Sequence, residues 1–229
     1  MSATLLLQYL PSLLKGFGYT IVCWVAGTLI GLLLGVVVTA CHALGGKPVR
    51  YMVRSYIEVF RGTPFLIQLI FFYSAGPSFG LRLGPLSTGI LALGLYGGAY
   101  FAEVIRGGVA VVPAGQIEAA ECLGLTPAVI VWRIMLRQML VAILPSIVNI
   151  TIALLKETVV LSIIVVPELM YQIQTMAAET FAYKEALFAM AVFYWVLVEV
   201  LSRVEALSES RLTMFLSRTK GQRDRRSVV

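Results

Sequence analysis

Lys156 and Glu157 sit side by side in an apolar stretch bounded by Arg137 and Pro167. A charge at the centre of a bilayer costs roughly 2.5–3.5 kcal/mol or more, so intramembrane ionisable groups mark partners or pathways. On a helix, adjacent residues point about 100° apart, and these two cannot neutralise one another on one face. Either each pairs with a neighbouring helix, or the stretch lines a cavity in which Glu157 faces an ammonium or guanidinium group. In the second case Thr158 and Asn149 hydrogen-bond nearby. Gln68 lies about 10 Å inside another apolar stretch, counted from Arg61 at about 1.5 Å per residue. It is a further binding candidate, as is Thr63 beside Pro64.

These groups suit recognition of a polar solute and not catalysis. His42 is the only histidine, at the inner end of an apolar run, so Ser55, Ser146 and Ser162 have no base within reach. Cys23, Cys41 and Cys122 lack metal or redox spacing and read as apolar filler. No metal or cofactor is expected. Gly46-Lys47 is followed by Pro48 and has no glycine at position 41, so there is no phosphate-binding loop.

The elements that position these residues are membrane helices. Hydrophobic residues form 59% of 229 and charged residues 13%, with a mean hydropathy of +0.89. Too few polar groups remain to cover a water-facing surface, since a soluble domain carries about 25% charged residues. The net charge of +6 does not indicate nucleic acid, because the basic residues are separated by long apolar runs.

A helix needs roughly 20 apolar residues to cross a bilayer. Charge gaps give a first span at Tyr19 to Cys41, a second at 62–81, a third at 83–102 running on to about Val111, and a fourth after Arg137. The fifth centres on 186–198, followed by Glu199 and Arg203 at a pairing distance of four residues. Residues 1–18 read as a short segment on the outer surface. An all-α membrane protein of about five spans follows.

Lys and Arg accumulate on the cytoplasmic side. The connections 42–61 and 106–137 and the tail 203–229 carry 14 of them, against Lys15, Arg82 and Lys184 on the other side. The N-terminus is therefore expected outside and the C-terminus inside. Gly27, Gly31 and Gly35, and likewise Gly94, Gly98 and Ala102, recur every four residues, which suits close helix packing within the chain or between subunits.

The connection between the third and fourth spans is long for a helix–helix link, and long links tend to be functional. Pro113 opens it, Gly124 suits a helix end, and a short amphipathic helix is expected between them, with Ile117, Ala120 and Leu123 near one face and Gln116 and Glu118 elsewhere. Glu118-Ala119-Ala120, then Gly124, Ile134 and Leu136, resembles the signature of permease subunits of bacterial ABC importers; Arg137 stands where that family usually has proline. Glu58 to Pro64, Ala102 to Gly107 and Leu154 to Thr158 resemble its polar amino-acid branch, the histidine, glutamine and arginine importers.

The resemblance implies a type I permease fold, with one transmembrane domain over 1–215, a coupling helix at about 114–125 and a basic cytoplasmic tail at 216–229. It implies a multi-pass protein of the bacterial inner membrane that is not itself an enzyme. A dimer of ABC ATPase subunits binds ATP and Mg, a second permease subunit, identical or paralogous, completes the pathway, and a periplasmic amino-acid-binding protein delivers substrate. Gln116, Glu118, Ala119, Ala120, Leu123 and Gly124 would then meet the ATPase. The alternatives are an ABC permease for another small solute and a stand-alone secondary transporter or channel, against which no internal repeat is visible. Glu58 with Arg61, and Glu103 with Arg106, read as ion pairs, and the tail as a run that touches anionic lipid.

Overall fold

The computed structural model describes residues 3–80, 82–200, 202 and 203. Among them every regular element is a helix. Helix α1 spans Ala3–Leu44, α2 Lys47–Gly62, α3 Phe65–Ile70, α4 Pro85–Val109, α5 Ala114–Cys122, α6 Pro127–Ile130, α7 Leu136–Glu157 and α8 Leu169–Thr180. Residues 183–200 form α9. Short π and 3-10 turns extend α3 to Phe79, join α6 to α7, and carry α7 on to Ile164. Leu7–Leu44, Pro85–Val109 and Pro127–Ile164 are each long and apolar enough to cross a membrane, and Phe65–Phe79 is a shorter apolar helix.

The centre is a seam of small residues between α1 and α4. A Cβ added to Gly27 would lie 2.7 Å from Leu93 Cβ, one on Gly31 3.2 Å from backbone atoms of Gly94, Gly97 and Gly98, and one on Gly35 2.9 Å from Ala102 N. The contacts advance together along both helices, so these run parallel. The glycine pattern is thus used within the chain. Thr39 Oγ1 donates to Ala102 O at 3.1 Å across the same seam. On the other side of α4, Leu154 of α7 packs over Gly97.

A second cluster joins Leu13 of α1 to Leu169, Ile173 and Met176 of α8 and Ala186 of α9. Its polar knot is Glu168, fully buried at the N-terminus of α8. The carboxylate accepts from Met170 N and Tyr171 N, each at 2.8 Å, and from Tyr194 OH at 3.4 Å. Leu169 N donates to Thr20 Oγ1 at 3.1 Å, which ties α1 to the same point.

Several expectations need correction. Residues 3–18 are not a separate surface segment: they continue α1, because Leu13 and Gly16 pack against α8. Within the stretch 62–81 the apolar helix runs only from Phe65 to Phe79, since Thr63 and Pro64 separate it from α2. The apolar helix expected after Arg137 begins at Pro127, ahead of Arg133 and Arg137, whose side chains are exposed on the continuing helix. Cys23 is buried as expected, but Cys41 and Cys122 are exposed. Arg203 Nε does bond Glu199 Oε1, at 2.8 Å. The tail 216–229 lies outside the described residues.

Gly18 faces open space, whereas Gly35 faces backbone. Gly35→Ala should therefore destabilise the protein by about 1–3 kcal/mol through overpacking. Gly18→Ala should leave it unchanged or slightly stabilised, by up to about 1 kcal/mol of helix propensity. Thermal unfolding of the detergent-solubilised protein followed by tryptophan fluorescence checks both.

Candidate functional site

Helix α4 turns Tyr96, Tyr100 and Glu103 to one side, at intervals of four and three residues. Tyr96 OH donates to Tyr100 OH at 3.2 Å and the two rings lie 4.9 Å apart, with Phe65 tilted on Tyr96 at 5.2 Å. Arg61, in the last turn of α2, places its guanidinium 5.3 Å from the centre of the Tyr100 ring. Its Nη1 is 3.9 Å from Glu103 Oε1, and Glu103 is also bonded by Arg106. The expected Glu103–Arg106 pair therefore forms. The expected Glu58–Arg61 pair does not, because Arg61 reaches across to α4 instead.

Glu157 stands half-buried at the C-terminal end of α7. It borders a cavity of 180 Å³ lined by Tyr96, Tyr100, Ile150, Ala153 and Leu154. A carboxylate, two phenol rings and a guanidinium thus follow one another along the α4 face. The carboxylate supplies charge to an organic cation and the ring faces supply cation–π attraction. Nothing in the row is arranged as a nucleophile with a base.

The other proposed ligands separate. Lys156 and Asn149 are exposed, seven residues apart on another side of α7. Neither Lys156 nor Glu157 forms an ion pair among the described residues. Thr158 is fully buried, its hydroxyl donating to Leu155 O at 2.7 Å, so it does not line the cavity. Gln68 spans the break between α2 and α3: its Nε2 donates to Phe60 O at 2.9 Å, Thr63 O at 3.0 Å and Thr63 Oγ1 at 2.7 Å. These carbonyls are the ones a helix end leaves unpaired. Gln68 Oε1 is buried without a partner among the described residues. Tyr96 and Tyr100 were not singled out from the sequence; their spacing of four in a glycine-rich span was the available signal.

The short helix α5 ends as expected and for a definable reason. Gly124 has φ +74, its N–H bonds Glu121 O at 2.9 Å, and Leu125 N–H bonds Ala120 O at 3.1 Å. This is a Schellman cap, whose turning residue favours glycine. Ala120 is buried and Ile117 half-buried, but Leu123 is 79% exposed and does not share their face. Gln116 turns inward, where Gln138 Nε2 of α7 donates to its Oε1 at 2.7 Å. Glu118, Ala119 and Leu123 are left outward.

The family model described as "Binding-protein-dependent transport system inner membrane component" matches residues 5–214. The chain is 32% identical over 204 residues to the arginine transport system permease protein of Bacillus subtilis, covering 89% of this chain and 93% of that one. It is 30% identical over 212 residues to the L-cystine transport system permease protein of the same organism, covering 92% and 91%. Among solved structures, an amino acid ABC transporter crystallised with histidines superposes with a TM-score of 0.85 at 32% identity, over 92% of this chain and 99% of that one.

Removing the bridge across the α2–α3 break should cost stability even though no apolar contact is lost. Gln68→Leu leaves the half-buried carbonyls of Phe60 and Thr63 without that donor, at about 1–3 kcal/mol. Urea or thermal unfolding of the variant in detergent measures the loss.

Proposed function

We propose a substrate class and a coupling route for this chain, which belongs to the family of binding-protein-dependent transport system inner membrane components. It is a multi-pass inner-membrane permease subunit of an ABC importer with the type I permease fold. Polar amino acids are the proposed cargo. The observation that carries this is Glu157, a half-buried carboxylate beside Tyr96 and Tyr100 on an open cavity. It suits the ammonium of any amino acid and the guanidinium of a basic one. Arginine and cystine permeases among the relatives support the same class.

In this reading the chain crosses the membrane five times, through α1, the α3 region, α4, the α6–α7 helix and α9, with its N-terminus outside. ATP and Mg are held by a separate ATPase dimer, a second permease completes the pathway, and a periplasmic binding protein delivers substrate. Helix α5 is the coupling element, presenting Glu118, Ala119 and Leu123 outward. ATP drives the pathway between its openings only if the ATPase contacts differ in the two states. A short rigid helix held to α7 through Gln116 and Gln138 can transmit such a difference.

Two variants test the two halves of the proposal. Glu157→Gln keeps the volume and removes the charge, so uptake of a cationic amino acid in proteoliposomes should fall at least tenfold while the ATPase still co-purifies. Unchanged uptake kinetics would remove Glu157 from the pathway.

The second concerns Gly124, where the sequence suggests a glycine kept small for a partner's close approach. The left-handed backbone there adds a second reason, and within this chain a Cβ meets nothing within 4 Å. Gly124→Leu strains the cap by about 1–2 kcal/mol. It should uncouple hydrolysis from uptake, and Gly124→Asn, which tolerates that conformation, should restore most of it. Uptake per ATP hydrolysed, in membranes with equal complex, measures this.

A further inference from the structure

The loop from α1 to α2 builds a concentration of positive charge that the transport reading does not use. Helix α2 carries Lys47, Arg50 and Arg54 three and four residues apart, hence on one side. Arg50 is fixed there: its Nε donates to His42 O at 3.1 Å and an Nη to Ala43 O at 3.4 Å, the terminal carbonyls of α1. A guanidinium at a helix C-terminus is favoured both by those carbonyls and by the helix dipole.

Around it lies a crevice of 380 Å³ lined by His42, Lys47, Arg50, Tyr51 and Arg54, with no carboxylate among its walls. A neighbouring crevice of 350 Å³ shares His42 and Arg54 and adds Glu58 and Glu103, but Glu103 is already bonded to Arg106. Lys47, Arg50 and Arg54 make no ion pair among the described residues.

We propose that this crevice binds the phosphate of an anionic phospholipid. The shared chemistry, an oxyanion gripped by guanidinium and ammonium groups, would equally take free phosphate. What favours lipid is the other side of α2, where Met52 is 71% and Val59 57% exposed, with Leu44 at the end of α1 89% exposed. An amphipathic helix with a basic face and uncovered apolar residues lies in the headgroup region of a membrane. The parallel course of α1 and α4 puts this crevice at the same end of the molecule as α5. A lipid held there braces the α1–α2 corner at the start of the helix whose last turn carries Arg61 to Tyr100.

The test uses the intact protein purified with its co-purifying subunits and the double variant Lys47→Gln/Arg54→Gln. Arg50 is left in place because it clamps α1. Arg133→Gln, an exposed arginine on the helix entering α7, is the charge control. Binding is read as the thermal shift on titrating phosphatidylglycerol against phosphatidylcholine in mixed micelles, with sodium phosphate as a third arm. Each basic residue near the surface contributes roughly a factor of five in affinity, so the double variant should bind phosphatidylglycerol about tenfold or more weakly. Arg133→Gln should match the unaltered protein, and phosphate alone should give no shift. Equal phosphatidylglycerol binding by the double variant would overturn the site. A shift with sodium phosphate alone, lost in the double variant, would overturn the lipid in favour of a soluble anion.

Discussion

Between Gly35 of α1 and the backbone of Ala102 in α4 there is no room for another carbon, and one on Gly31 would press at 3.2 Å on the backbone of Gly94, Gly97 and Gly98. In a bilayer the lipid tails are as apolar as the side chains, so helices associate through packing that lipid cannot match, and small residues that let backbones meet provide it. Everything else is hung on that seam. Because α1 and α4 run parallel at backbone contact, the end of α1 falls level with the end of α4, and α2, which leaves α1 through a tight corner, lies where Arg61 meets Glu103 and Tyr100. Tyr56 OH, donating to Leu95 O at 2.5 Å, pins α2 to α4 in that position.

The seam also decides which sides of α4 remain for other work. One side is consumed by α1, a second by α7 through Leu154 on Gly97 and Ile143 near Gly108. The side bearing Tyr96, Tyr100 and Glu103 is left to border the cavity. Away from it, Trp24 Nε1 donates to Thr151 O at 2.7 Å and Glu168 accepts two N–H groups, while Thr28 Oγ1 and Gln68 Oε1 are the buried side-chain atoms without a partner among the described residues. An unpaired polar group in hydrocarbon costs several kcal/mol, so such matching is expected of structural residues. Glu157, half-buried without an ion pair among the described residues, departs from that rule at the cavity.

The sequence was legible where a single local cause dominates. Uncharged runs announced α4 and most of α1, and Gly124 announced the end of α5, because only its left-handed turn was at issue. It was illegible where two causes compete. Val165 closes the 3-10 turn after α7 with φ +63, its N–H on Ser162 O and the next N–H on Leu161 O, the same cap that Gly124 makes. A β-branched residue in that conformation carries about 1–3 kcal/mol of strain, and no turn chemistry foretells it. Val166 and Glu168, both fully buried, explain it: the chain must turn there to bring them inward. Likewise Thr126-Pro127 signals a helix start. Counting charges hid it, because Arg133 and Arg137 sit exposed on the helix it begins. For the substrate groups, residue type alone could not separate Thr158, turned to its own backbone, from Glu157 beside it.

One helix break lies at the candidate cavity and another at Thr63-Pro64, and they are handled differently. At Thr63-Pro64 the freed carbonyls of Phe60 and Thr63 are bound by Gln68, so the end of α2 is neutralised from within. At Glu157 the α-helix passes into a 3-10 turn, where Leu155 O is taken by Thr158. There the aligned peptide dipoles of α7 add negative potential at the position of the carboxylate. A carboxylate at the C-terminal end of a helix is unfavourable for the isolated fold, which would be better served by lysine or by a neutral residue. It becomes favourable once a cation sits against it, since dipole and charge then act in the same direction. A carboxylate and a helix end of like sign thus meet where the chain borders open space with two aromatic rings, and a bound positive group relieves both at once.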